Sequence, residues 1–238
     1  MPSIVWGRHP QEAYDNPYEY EAQDQFLREA KALLEEFNLR LDYHTLSFHR
    51  DDCSLDKATW ILSLDLVDAL LEATALTEEK RHRPAARLFR DSVETMDLLM
   101  VLHSGSTKAS SALEQWYQNV TIPHRESRVH LHEVEGEQAA KARKEFYEEL
   151  SKFTHRTYRV LLHSYSLGRD HLMVHDSHSM RILVLPQTIA SYLAIVGDLI
   201  IQASQCLAKT KAISPEGIKA AWETSLEVHT VPRRFMMR

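Results

Sequence analysis

The sequence predicts an all-α fold: a helical bundle with a few extra peripheral helices. Three observations carry that expectation. Glycine is scarce, 6 in 238 residues, against a usual share of about 7%. Ala, Leu, Glu, Lys and Arg, the residues most at ease in a helix, dominate the long central stretches. Apolar side chains recur there at three- and four-residue steps, the period of one helix face.

Hydrophobic residues make up 44% and charged residues 26% of the chain, a folded rather than a disordered composition. The length suits one large domain with appendages. The expected division is an N-terminal segment and first helix over 1–54, a bundle over 55–208, and a C-terminal helix with a basic tail over 209–238.

The first helix is expected from Tyr20 to about Phe48, on the spacing of Phe26, Ala30, Leu33, Leu34, Phe37 and Leu41. Asp51 to Ser54 break it, and Ser54 is placed to cap the next helix. There Trp60, Ile61, Leu64, Val67 and Leu71 form one stripe and Leu62, Leu66 and Leu70 another, so that helix should be largely buried. Pro84 opens a third helix, which runs through Leu88, Val93, Met96 and Leu99 to a stop at Gly105. Ser106 to Asn119 reads as a shorter helix, and Thr121 to Gly136, with Pro123 and three histidines, as a connecting loop.

From Glu137 the stripe Ala139, Ala142, Phe146, Leu150, Phe153, Thr157, Val160, Leu161 and Ser164 predicts one long helix ended by Gly168, or two with a kink near Thr154. His171 to Leu185 fits a loop, a short strand or a helix. Pro186 begins an apolar helix ending near Ala208. Its most apolar part, Ile189 to Ile201, holds Asp198 and spans 13 residues, whereas a membrane crossing needs about 20. Ser214, Pro215 and Glu216 start a last short helix, and Val231 to Arg238 is a basic tail.

Charge restricts the partners. A net charge of −6 argues against a surface coated with bases for non-specific nucleic-acid binding. Residues 11–36 carry eight acids against two bases, and residues 139–169 carry seven bases against three acids. An anionic partner is therefore expected on the second region. Cys53 and Cys206 have no zinc-like spacing, and the N-terminus lacks the apolar run of a signal peptide, which makes the cytoplasm the expected location.

Several chemistries lack their motifs. No Gly-x-Ser-x-Gly elbow, Gly-x-Gly-x-x-Gly turn or Walker loop occurs. A carboxylate-bridged di-metal centre needs two Glu-x-x-His pairs, and Glu79 with His82 is a single one. His171, His175 and His178 would share a face only if helical, and His130 with His132 only if extended. No metal or cofactor is expected.

Two groupings remain. Arg90 and Glu94 lie one turn apart with Asp97 on the same face, and Asp65, Asp68 and Glu72 are similarly spaced on the preceding helix. They are either ion pairs or, for Arg90 and Glu94, an inward polar core that orients a catalytic histidine. The second grouping is basic: His155, Arg156, Arg159 and His163. Arg156 and His163 are two helical turns apart, with Arg159 one turn before His163. An imidazole that moves protons beside a guanidinium that steadies phosphorus-bound oxygens suits phosphodiester cleavage. A basic helix face with an incidental histidine is the plainer alternative.

Arg87-Leu-Phe-Arg90-Asp-Ser-Val-Glu94 and Tyr147-Glu-Glu-Leu-Ser151-Lys-Phe-Thr-His155 resemble two signatures of the HEPN superfamily of small helical bundles, within a prokaryotic branch of HEPN-like domains. The likeness covers about residues 55–208. It implies a metal-independent RNase, usually a homodimer, with an arginine, a polar neighbour and then four to six residues before a histidine. Arg156, Thr157 and His163 are similar to that pattern, with Thr157 where asparagine, histidine or an acid is more usual. It also implies RNA as a partner and a defence or toxin–antitoxin setting. Because many relatives only bind, the alternative is a non-catalytic module that grips a protein partner through its acidic first helix and its Phe235-Met236-Met237 tail.

Overall fold

The computed structural model describes residues 27–28, 30–39, 41, 47–79, 81–155, 165–167, 173–175 and 186–210. This part is an all-α bundle with one small strand pair. Six helices follow an N-terminal helical stretch at 30–39: α1 (Leu55–Glu78), α2 (His82–Leu102), α3 (Thr107–Tyr117), α4 (His124–Glu135), α5 (Glu137–Thr154) and α6 (Pro186–Lys209). The strands β1 (Tyr165–Leu167) and β2 (Met173–His175) pair antiparallel between α5 and α6, with Ser166 opposite Val174.

The start of α1 shows how local chemistry fixes an element. Ser54 Oγ accepts from Lys57 N at 3.2 Å, closing the first turn. The Lys57 ammonium donates to the carbonyls of His49, Arg50 and Asp52 at 2.9, 2.7 and 2.8 Å. Tyr117, at the end of α3, donates its hydroxyl to Ser54 O at 2.8 Å and ties α3 to the same corner.

The centre of the bundle is α2. It packs against α1, α3, α4, α5 and α6. Leu62, Leu66, Val67, Leu70 and Ala73 of α1 meet Ala85, Ala86, Phe89, Val93, Met96 and Leu99 of α2, and Val196, Leu199, Ile200, Ala203 and Leu207 of α6 complete the core. Buried hydroxyls return to their own helices: Thr74 to Leu70 O, Thr77 to Ala73 O, Ser92 to Leu88 O and Ser204 to Ile200 O. Each satisfies its polar group one turn back and leaves the inter-helix space apolar.

Most of the expected helices form. Ser54 caps α1, Ser106 caps α3 with Oγ accepting from Ala109 N, and Gly105, at φ +70°, follows the end of α2. Pro84 lies within the first turn of α2, where a missing N–H costs nothing. On α1 both leucine stripes turn inward, but Ile61 is 42% exposed.

Three expectations are corrected. Residues 47–49 are not helical, so the first helix ends before Phe48, which instead packs on the core from an irregular connection. Residues 121–136 are not all loop, because α4 occupies His124–Glu135 with Pro123 as its N-cap. Among the described side chains, α4 buries Ser127 and His130 and exposes Val129. The helix begun at Glu137 does not run to Gly168, since His155 is extended (φ −83°, ψ 154°) and Tyr165–Leu167 is a strand. Of the three alternatives for His171 to Leu185, Met173–His175 takes the short strand, so the helix on which a shared face of His171, His175 and His178 depended does not form there.

No described helix is long and apolar enough to cross a membrane.

Candidate functional site

A polar cluster lies where α2, α4 and α5 meet. Arg90 and Glu94 are one turn apart on α2, and the guanidinium holds the carboxylate twice, Nη2 at 2.9 Å and Nε at 3.0 Å from Oε1. Tyr147 of α5 inserts its hydroxyl into this pair. It accepts from Arg90 Nε at 3.0 Å and donates to Glu94 Oε1 at 2.6 Å. The three groups thus form a closed ring of charge-assisted hydrogen bonds between two helices.

The electrostatics agree with the geometry. Burial raises the Tyr147 phenol above its ordinary value, and the adjacent Glu94 carboxylate raises it further. Burial by itself would lower Arg90, but the Tyr147 hydrogen bond and the Glu94 charge outweigh it and hold the guanidinium above its usual range. Both groups therefore keep their protons throughout the physiological range.

The ring of Tyr147 carries a second layer from α4. His124 stacks on it with centroids 4.2 Å apart at 40°, and the Arg128 guanidinium lies 4.9 Å from its centre, with Arg90 at 5.1 Å. Two cations around one aromatic ring are attracted by its quadrupole but repel each other. Arg128 Nε is buried with no hydrogen-bond partner among the described residues. His124 Nε2 lies 2.6 Å from Oδ2 of the fully buried Asp97. A carboxylate only accepts, so Nε2 carries the proton. The other nitrogen, Nδ1, is buried without a hydrogen-bond partner.

Arg90 and Glu94 form the half-buried ion pair that was one reading of their spacing, and Asp97 lies fully buried on the same helix. The histidine that meets Asp97 is His124. His155 is exposed at the C-terminal end of α5. Arg156, Thr157, Arg159 and His163 lie outside the described residues, as do His171, His178, the helix expected from Ser214 and the tail from Val231. His130 and His132 do not share a face, because α4 is helical there and buries only His130. Among the described residues no group of three His, Cys, Asp or Glu side chains is arranged to hold a metal ion.

No family model, curated protein or solved structure matches this chain.

Sequence reasoning missed His124, Tyr147 and Arg128. Tyr147 sat inside a quoted motif without a role, since nothing in the spacing says which side of α5 faces α2. His124 and Arg128 are one turn apart, a signal that becomes visible once Pro123 is read as the start of a helix rather than as part of a loop.

Two further imidazoles, one buried and one half-buried, mark the end of α2. His130 Nε2 lies 2.8 Å from Ser104 Oγ, and because Ser104 donates its own proton to Val101 O, the imidazole is the donor. His103 Nε2 meets Thr59 Oγ1 at 2.7 Å, and Thr59 likewise donates to Leu55 O. Burial, with a contribution from the Lys209 charge, pushes the His103 imidazole down from 6.5 to about 4.

His103 is thus neutral in the folded protein and protonated at higher pH when unfolded. Its stabilising contribution is complete above pH about 6.5 and is lost as the pH falls towards about 4. Because the ring is partly exposed, solvent screening reduces the effect to about 1 kcal/mol. The urea midpoint of His103→Gln should accordingly fall less than that of the wild type between neutral pH and pH about 4.5. Parallel pH profiles would show that His103 does not contribute.

Proposed function

We propose that this chain is a HEPN-like helical bundle that takes RNA on the face formed by α4 and α5. The observation that carries this reading is the meeting of the two signatures. Arg90 and Glu94 of the first are hydrogen-bonded to Tyr147 of the second, at 3.0 and 2.6 Å, so the motifs form one structural unit. Arg128, stacked beside them with Nε unpartnered among the described residues, adds a guanidinium suited to a phosphate oxygen. The excess of bases over residues 139–169 favours the same kind of partner.

In the catalytic form of this proposal the ribose 2′-oxygen attacks phosphorus and the 5′-oxygen leaves. His163 or His155 takes the proton from the first oxygen or returns it to the second, while Arg156 and Arg159 stabilise the charge on the non-bridging oxygens. Arg90 and Glu94 act by positioning α5. A symmetric dimer, which would place two basic segments side by side, and a cytoplasmic setting belong to the same reading.

The test is cleavage of single-stranded RNA in the presence of a metal chelator. The wild-type chain should cleave, and His163→Ala or Arg156→Ala should reduce the rate by roughly 10²-fold. Arg128→Ala should weaken binding at low salt and flatten its salt dependence. If the wild-type chain neither cleaves nor binds RNA, the reading is wrong.

One observation favours a non-catalytic variant. His124, the histidine within the cluster, has one nitrogen engaged by Asp97 and the other buried, so in this conformation it serves as a cross-tie. A binding module would retain a partner without cleaving RNA. Pull-down with and without residues 230–238 separates the two: partner loss on truncation, with no nuclease activity, identifies the module.

A further inference from the structure

We propose that the turn joining α2 to α3 carries a separate, hydrolytic site for small carboxylic esters, in which Ser104 is the nucleophile, His130 carries the proton and Glu133 positions the imidazole. The observation behind it is the meeting of three side-chain types. Ser104 Oγ lies 2.8 Å from His130 Nε2, and Glu133 Oε2 lies 3.7 Å from the other nitrogen of the same ring, Nδ1. A hydroxyl, a base and an orienting carboxylate in that order are recognised by geometry, whatever their places in the chain. This site uses none of the Arg90, Glu94 and Tyr147 contacts, and it does not depend on RNA being a ligand.

Local structure brings these groups together. Gly105, at φ +70°, turns the chain so that the hydroxyls of Ser104 and Ser106 come within 3.0 Å. Ser106 caps α3, its Oγ accepting from Ala109 N at 3.2 Å, so it is polarised by the positive end of that helix. His130 and Glu133 are three residues apart on α4, which puts imidazole and carboxylate on one face. Lys108 of α3 bonds Glu133 Oε2 at 3.0 Å and holds its carboxyl below the usual range. Ser104 and Ser106 are half-buried on either side of the exposed Gly105, whereas His130 is 5% exposed. The turn thus lies at the surface while the base is shielded. An ester suits it better than an amide, because an alkoxide is the easier group to expel.

In the resting arrangement Ser104 donates to Val101 O at 2.7 Å and accepts from His130 Nε2. The reactive arrangement differs in the placing of two protons. The imidazole carries its proton on Nδ1, towards Glu133, and the Ser104 hydroxyl turns to Nε2. Val101 O keeps the Ser104 amide at 3.1 Å, so the rotation leaves no bare acceptor. Ser106 then donates to Ser104 Oγ and steadies the charge that gathers there. Ser104 Oγ attacks the ester carbonyl carbon as its proton passes to Nε2, the bond from that carbon to the alkoxy oxygen breaks, and the alcohol leaves with the proton. Water then attacks the acyl-serine and gives a proton to Nε2, Ser104 Oγ departs and recovers it, and the products are acid and alcohol.

Two measurements on the full chain test the proposal. A fluorophosphonate, which reacts with nucleophilic serines, should label Ser104 in preference to every other serine, the site being located by peptide mass spectrometry. Hydrolysis of p-nitrophenyl acetate should begin with a burst of p-nitrophenol, the mark of an acyl-enzyme. Ser104→Ala should abolish the burst and lower the rate by at least roughly a hundredfold. Glu133→Gln, at an exposed position, should lower the maximal rate by roughly tenfold or more and leave KM unchanged, a split that a merely structural carboxylate would not produce.

A wild-type chain that takes no label at Ser104 would overturn the proposal. So would ester hydrolysis that survives Ser104→Ala, which is then the background reaction of surface amines and imidazoles. A Glu133→Gln variant as fast as the wild type would overturn the role given to Glu133. Should Ser104→Ala fail to fold, the position of the label in the wild type decides by itself. Cleavage of RNA, or its absence, bears on the function proposed above and not on this site.

Discussion

Phe89→Ala is expected to lower the unfolding free energy by about 3–5 kcal/mol, the range for deleting an enclosed aromatic ring. Phe89 is 1% exposed on α2, the helix against which α1, α3, α4, α5 and α6 all pack. Its surroundings have little freedom to collapse, because the neighbouring core positions belong to long helices held at both faces. Urea unfolding would show a lower midpoint at unchanged slope. By contrast, Ile61→Ser, on the exposed side of α1, should change stability by no more than about 0.5 kcal/mol. A loss of less than about 1 kcal/mol at Phe89 would mean that α2 is not the centre of the bundle.

The contrast between those two positions shows what the sequence revealed and what it did not. Apolar spacing on α1, α2 and α6 was strong enough to give their ends to within a few residues, because these helices are buried on more than one face. Caps at Ser54 and Ser106 marked their starts through hydroxyl chemistry that is local to the chain. Spacing could not say that Ile61 faces outward, since a helix that is apolar on two sides does not disclose which side has a neighbour.

Two kinds of error have physical causes. Residues 124–135 read as a loop because Pro123 and three histidines outweighed the few apolar residues there, and a periodicity argument does not see contacts such as His124 with Asp97 and His130 with Ser104. The helix from Glu137 ends at Thr154, where a break was one of the two alternatives, but it is not followed by helix as far as Gly168, because Tyr165–Leu167 pairs with Met173–His175. Pairing with a segment six or more residues away is a tertiary fact, and it overrides the local pattern.

The candidate site was half legible. Arg90, Glu94 and Asp97 share a helix, so one-turn spacing brought them together correctly. Tyr147 and His124 reach them from other helices, across gaps of more than fifty and more than twenty residues, and no spacing rule spans such distances. Nothing in the sequence disclosed the contact between the two halves.

That contact is the claim on which the account turns, and a double-mutant cycle measures it. Tyr147→Phe removes the hydroxyl and keeps the ring on which His124 and Arg128 stack, and Glu94→Gln removes the charge and keeps the shape. Hydrogen bonds to a charged group contribute about 1.5–3 kcal/mol, and the 2.6 Å contact is short and partly shielded from water. Unfolding of the wild type, both single variants and the double variant should yield a coupling energy of about 1.5 kcal/mol or more between positions 94 and 147. Additive losses, with a coupling no larger than about 0.3 kcal/mol, would contradict the account: α2 and α5 would then not be joined through this ring.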